Sequence, residues 1–210
     1  MSERSNTKQE ILKTALDLFS VQGYEATSIS QIAEAVGIRK ASLYSHFGCK
    51  QDILDALVSV VLTQYNKHSI FANAKWEDYE YNKDFLNITL EESIRMILGQ
   101  VCYIIHDPTI LKSRKMLTIE QFQNQELSWL LTKQNYTDVL NYFSGFVSFL
   151  IAQGKLRDDD AQIMAAQLCL PITVWINLCD REPNNEDVIM VLIERHIRRF
   201  FKIYGVTEEE

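Results

Sequence analysis

Apolar residues recur at helical spacing along most of this chain. Ile11, Leu12, Ala15, Leu16, Leu18 and Phe19 form an inward stripe over residues 8–22. Thr7 and Glu10 make a T-x-x-E capping box ahead of it, and Gly23 closes it. A second box, Ser28 with Gln31, sets a helix start at Ile29, after which Ile32, Ala33 and Val36 share one face. Gly37 falls where a helix ends in a left-handed residue, and the chain restarts as RKASLYSHF. A short helix, a glycine turn and a second short helix form a helix-turn-helix pattern. A fourth helix begins near Lys50 and carries Ile53, Leu54, Leu57, Val58, Val61 and Leu62. It is long enough to join two domains without a flexible linker and, as a rigid shared element, to transmit movement between them.

Residues 72–88 break the periodicity and are acidic and aromatic, which predicts a loop or short turn. Helical spacing resumes over 89–106. Asp107-Pro108 then has the form of an N-cap followed by proline at the first helical position. Residues 108–133 accommodate a short and a longer helix. Further helices are expected over 136–153, stopped by Gly154; over 158–178, kinked by Pro171; and over 186–204, ending at Gly205. The fold class is all-α: an N-terminal three-helix helix-turn-helix domain at 1–50 joined to a larger C-terminal helical bundle at 51–210.

Composition agrees with a helical chain. Hydrophobic residues make up 47% of the 210, enough for a sizeable core, while 7 glycines and 3 prolines are too few for a turn-rich β fold. The net charge is -7, so the protein as a whole is no basic nucleic-acid coat. Between Thr27 and Lys50, however, Glu34 is the single acid against Arg39, Lys40 and Lys50. A small positive patch on an acidic body makes DNA contact local and opposes non-specific binding in other orientations. No stretch of about 18 residues is uncharged and apolar throughout, which argues against a membrane partner. The N-terminus MSERSNTKQE is not a signal peptide. Cys49, Cys102, Cys169 and Cys179 show no C-x-x-C, the pattern of a cytoplasmic protein with reduced thiols. Cys49 reads as an ordinary thiol or, near the DNA face, as a redox sensor.

The segment GYEATSISQIAEAVGIRKASLYSHFGCKQDIL resembles the N-terminal DNA-binding domain of the tetracycline-repressor (TetR) family. The resemblance spans about residues 7–57 and rests on GY-x-x-T-S, I-A-x-x-x-G-I and L-Y-x-H-F with a lysine three residues on. Arg39 and Cys49 depart from the family pattern, standing where small capping residues are common, which weakens each cap by about 1 kcal/mol. The resemblance implies that Lys40, Ala41, Ser42 and Tyr44 meet bases and that Thr27, Ser28, His46 and Lys50 meet phosphates. It also implies a C-terminal bundle for ligand binding and dimerisation.

The residues support this chemistry independently. On a helical wheel Leu43 and Phe47 face the core, and Ala41, Ser42 and Ser45 lie opposite, with Tyr44 and His46 on the flanks. Small residues let the backbone approach the groove floor. Lys40 suits guanine O6 or N7, and Ala41 a thymine methyl. Arg39 and Ser45 join the phosphate set, and Lys50 stands at a helix N-terminus that already favours an anion. Each residue also has an ordinary reading: Tyr44 packs on the first helix, Thr27 and Ser28 cap the second, Lys50 is solvated. Their joint spacing favours DNA.

Little points to catalysis, a metal or a cofactor. H-E-x-x-H, G-x-S-x-G and a glycine-rich phosphate loop are missing from the sequence, and Cys102 with His106 supplies two ligands at most. Tyr103, Met116, Phe122, Phe143, Phe146 and Trp175 stand out as large apolar or aromatic residues. They serve either as core or dimer interface, or as the lining of the ligand cavity the resemblance implies. The helices over 136–153 and 158–178 resemble the family's dimer-forming pair, with Phe146, Phe149, Leu150, Leu168, Ile172 and Ile176 as interface or core. The expected protein is therefore a homodimeric regulator, with a double-stranded DNA operator and a small apolar or amphipathic effector as partners. A helical small-molecule-binding module, or a small enzyme that retains the N-terminal fold, is the rival reading.

Overall fold

The structure, a computed structural model, describes residues 3–72 and 75–206. Among these, every extended element is helical, and Leu156 and Gly205 form an isolated β-bridge. The chain packs as two compact units, one of residues 1–68 with 108–131, the other of 69–107 with 132–210. Packing thus divides the chain differently from a functional boundary at residue 50.

The first unit contains α1 (Glu3–Gln22), α2 (Ile29–Val36), α3 (Lys40–Tyr44), α4 (Lys50–His68), α7 (Pro108–Glu120) and most of α8 (Gln125–Thr132). α1 begins a turn earlier than the Thr7/Glu10 box, which lies inside it. Its stripe of Ile11, Ala15 and Phe19 is fully buried with Ile32, Leu43, Ile53, Met116 and Leu127 in one core. α7 packs along α1 and completes this core from a distant part of the sequence.

The second unit contains α5 (Tyr79–Asn82), α6 (Leu90–His106), α9 (Asp138–Ala152), α10 (Ala161–Arg181) and α11 (Glu186–Tyr204). A loop was expected over 72–88; α5 and a 3-10 turn at Lys83–Phe85 lie within it. α6 starts on a complete Thr89/Glu92 capping box, and Pro108 opens α7 as the sequence predicts. A π-helical turn at Lys133–Thr137 leads into α9. Asp160 caps α10 by accepting from Gln162 N and Ile163 N at 2.9 and 3.1 Å. Pro171 lies inside that helix.

α10 is, by length and composition, apolar enough to cross a membrane, with a mean hydropathy of 1.4 over 18 residues. Its buried side chains Met164, Ala165, Leu168, Cys169, Ile172, Ile176 and Cys179 belong to the core shared with α6, α9 and α11. A helix at the centre of a bundle has the same composition for that reason. Phe143, Phe146 and Leu150 of α9 lie in this core as well.

Candidate nucleic-acid interface

The helix-turn-helix geometry is built by local chemistry. Ser28 N donates to Gln31 Oε1 at 2.7 Å and Gln31 N donates to Ser28 Oγ at 3.2 Å, so both halves of the box form. Gly37 takes φ 78°, and the N–H groups of Gly37 and Ile38 donate to Glu34 O and Ala33 O. A left-handed residue here turns the chain sharply enough for α3 to restart. Arg39 is the N-cap of α3 and provides no side-chain cap, as its type dictates. α3 is short, Lys40–Tyr44, because Ser45 and His46 already belong to a turn that leads to α4.

One face of α3 is fixed and the other is open. Leu43 and Phe47 are buried, whereas Arg39, Lys40, Ala41, Ser42, Tyr44 and Ser45 are all exposed. Tyr44 is 46% exposed, so packing against α1 does not consume it. His46 is half-buried at the edge of this face, and Ser28 is exposed at the start of α2. Ser45 Oγ donates to Ser42 O at 2.7 Å.

Thr27 is different. Its side chain is 1% exposed, its Oγ1 donates to Gly23 O at 2.7 Å, and it accepts from Gln22 Nε2 at 2.9 Å. The hydroxyl is spent inside the fold on the α1–α2 turn, so the phosphate contact expected of it is not available to its side chain.

Lys50 joins two segments. Its Nζ donates to Tyr24 O at 2.8 Å and Glu25 O at 3.4 Å, and it lies 4.1 Å from the centroid of the Tyr24 ring. An ammonium has three donors, so one N–H is left for an anion. Tyr24 is held from several sides. Its hydroxyl donates to Gln51 Oε1 at 3.0 Å, and its N–H donates to Glu120 Oε1 of α7 at 2.7 Å. Burial, then the Glu25 charge, raise its phenol above the ordinary value, which keeps that hydroxyl a donor. At the start of α4, Asp52 accepts from Gly48 N and the Cys49 thiol. The thiol hydrogen bond and then these N–H groups lower its carboxyl below the ordinary value. Asp52 thus ties the start of α4 to the Gly48 and Cys49 N–H groups.

The large apolar and aromatic residues singled out for an effector cavity separate. Met116 is fully buried in the core of the first unit, and Phe122 is 88% exposed at the end of α7. Neither lies in the bundle that the other four share, so neither lines a cavity there. Phe143 and Phe146 are buried in the core of the second unit, Tyr103 is half-buried on α6, and Trp175 packs edge-on against His196 at 5.3 Å. Among the described residues His106 belongs to no group of three or more side chains that could hold a metal; its Nδ1 lies 2.9 Å from Cys102 O and its Nε2 2.8 Å from Glu186 Oε1. Of the residues read as interface or core, Phe146, Leu150, Leu168, Ile172 and Ile176 are buried in the chain's own core and Phe149 is half-buried against it.

Fold and exposed face place the protein in the helix-turn-helix class. Residues 11–57 match the family of bacterial regulatory proteins, tetR family. The biofilm operon icaADBC HTH-type negative transcriptional regulator IcaR of Staphylococcus aureus is 34% identical over 97 residues, 42% of this chain and 50% of the relative. The HTH-type transcriptional regulator AcrR of Shigella flexneri is 29% identical over 118 residues, 56% of this chain and 48% of the relative. The chain thus spans about half the length of the curated relatives it matches. A complex of SmeT with triclosan has the same fold, with a TM-score of 0.65, 17% identity, and coverage of 97% of this chain and 93% of that one. SmeT is the repressor of the Stenotrophomonas maltophilia multidrug efflux pump SmeDEF.

Proposed function

We propose that this chain is a ligand-responsive, homodimeric transcriptional repressor that binds a palindromic operator in double-stranded DNA. The observation that carries this reading is α3, whose buried Leu43 and Phe47 hold an exposed, acid-free face of Arg39, Lys40, Ala41, Ser42, Tyr44 and Ser45. Lys40, Ala41, Ser42 and Tyr44 read base edges; Ser28, Arg39, Ser45, His46 and Lys50 hold phosphates. Residues 1–50 serve recognition and residues 51–210 serve ligand binding and dimerisation. Such a regulator acts on the chromosome, in the cytoplasm.

The second copy docks through C-terminal helices. Ile163 and Val174 of α10 and Val188, Val191 and Leu192 of α11 are large, apolar and exposed, which favours the outer faces of α10 and α11. The effector is small and apolar or amphipathic, with Tyr103, Phe143, Phe146 and Trp175 as candidates for its cavity. The SmeT–triclosan complex is a precedent for such a ligand in this fold.

Selection of bound duplexes from a random pool tests the reading. An enriched inverted repeat is the expected result; an unenriched pool refutes operator binding.

A further inference from the structure

We propose that Trp76 is an intramolecular plug in the effector site of the second unit, and that the site takes an uncharged, planar, bicyclic aromatic molecule that displaces it. This deepens the ligand-responsive reading above and rests on it.

Trp76 lies in an irregular stretch between α4 and α5, yet its indole is the hub of an aromatic cluster. Ring centroids of Phe85, Tyr81, Tyr142, Phe146 and Phe149 lie 5.1, 5.3, 5.3, 5.6 and 5.9 Å from its own. The five-membered ring sits against Gly145 of α9, where any Cβ would collide with it. Glycine here leaves α9 with a notch the shape of a flat ring.

The indole fits that notch in shape and not in chemistry. Its Nε1–H is buried without an acceptor, although a buried tryptophan ordinarily donates. Asn82 Nδ2 donates to the Trp76 carbonyl at 2.5 Å, but Asn82 Oδ1 is itself buried without a partner. Holding the indole in place thus strands two polar atoms, a cost that a purely structural tryptophan need not carry. A bicyclic aromatic lacking a donor at the Nε1 position fills the same space without the stranded N–H, and Trp76 recovers its hydrogen bond in water. A cleft of ≈ 540 Å³ beside the indole, lined by Lys75, Trp76, Glu77, Asp78, Asn141 and Gly145, provides room for the exchange. Burial raises the phenols of Tyr142 and Tyr81 above the ordinary tyrosine value. Surroundings that disfavour a phenolate disfavour an anionic ligand for the same reason.

The test labels the full chain with 5-fluorotryptophan and uses 2-naphthol as the probe. The sequence has 3 tryptophans, Trp76, Trp129 and Trp175, and their fluorine resonances are assigned by single Trp→Phe variants. Titration should shift the Trp76 resonance and give it a solvent isotope effect, leaving the Trp129 line in place. Trp76→Ala should bind 2-naphthol about ten-fold more tightly than wild type, because no plug has to leave first. Saturable binding with an unmoved Trp76 resonance overturns the proposal, as does no binding to the wild-type chain. Trp129→Phe and Trp175→Phe suffice for the assignment, since the remaining line is Trp76, so the fluorine readout needs no variant of the aromatic cluster. If 2-naphthol expels Trp76 while operator affinity holds, the plug stands and the inducer reading falls. If another ligand releases the operator while Trp76 stays in place, the regulator stands and the plug falls.

Discussion

Glu120 reaches the recognition unit from 96 residues away along the chain. It is 3% exposed, and its carboxylate receives the Tyr24 N–H, while the Tyr24 carbonyl in turn receives Lys50 Nζ. The approach is close enough that Gly23, at φ 86°, has no room for a Cβ beside the same carboxylate. Glu120→Ala leaves a buried N–H without an acceptor and should cost about 1–3 kcal/mol of stability, measured by urea unfolding. It should also weaken operator binding although residue 120 touches no DNA, because Lys50 loses its fixed carbonyl. Glu120→Gln keeps the accepting oxygen and should restore most of both. Lys50→Ala should weaken binding nearly equally on all sequences and lower the salt slope by about 1, read from titrations across salt concentrations. None of the Glu120 chemistry was legible in the sequence, since an acid on a distant helix gives no local sign of the N–H it will meet. Thr27 shows the converse. Its place in the motif suggested phosphate, and only the packed turn reveals that its hydroxyl faces Gly23 and Gln22.

At the scale of elements, local chemistry was readable and partnership was not. The box at Ser28/Gln31 and the left-handed turns at Gly23, Gly37 and Gly154 all form, because each is settled within about a turn of chain, whereas α1 runs through the Thr7/Glu10 box from Glu3. The face on which a helix meets the rest of the molecule depends on distant residues. Hence Met116 joins the first unit's core, and of the residues read as interface or core on α9 and α10, Phe146, Leu150, Leu168, Ile172 and Ile176 are core while Phe149 is half-buried. α3 offers a direct test of local chemistry. Arg39 caps nothing, so Arg39→Ser should stabilise the protein by about 1 kcal/mol through a new N-cap while weakening operator binding through the lost charge. Thermal unfolding and duplex titration on the same variant separate the two effects. The start of α4 should respond to acid. Asp52 has a lowered pKa, so its cap is fully present above the ordinary carboxylate range and is lost as pH falls through the lowered value. Asp52→Asn should flatten that part of the acid-unfolding curve.

At the scale of the molecule, the proposed reading sets an acid-free face of α3 in a chain of net charge -7, so DNA would be oriented by repulsion elsewhere as much as by attraction there. One reading face per chain recognises a half-site, and two-fold symmetry is what turns a half-site into a palindrome. In the proposed homodimer the exposed Val191 and Leu192 on α11 are the contact surface for that symmetry. Val191→Asp would bury an unpaired charge against the second copy and should yield monomers in sedimentation at micromolar concentration. Those monomers should keep the wild-type helical circular dichroism, because residue 191 is outside the core. A dimer that survives the substitution would place the contact elsewhere. Regulation requires a further property, since a ligand shifts only an equilibrium whose two states it binds unequally. Coupling of about 1–3 kcal/mol between cavity and operator corresponds to a 5–150-fold change in DNA affinity, and linkage makes it reciprocal. Saturating operator duplex should therefore weaken effector binding by the same factor by which effector weakens operator binding. Two titrations measure this, effector into free protein and effector into the protein–duplex complex. Equal effector affinities in both would mean that the cavity and the reading face are independent, and that the second unit serves dimerisation alone.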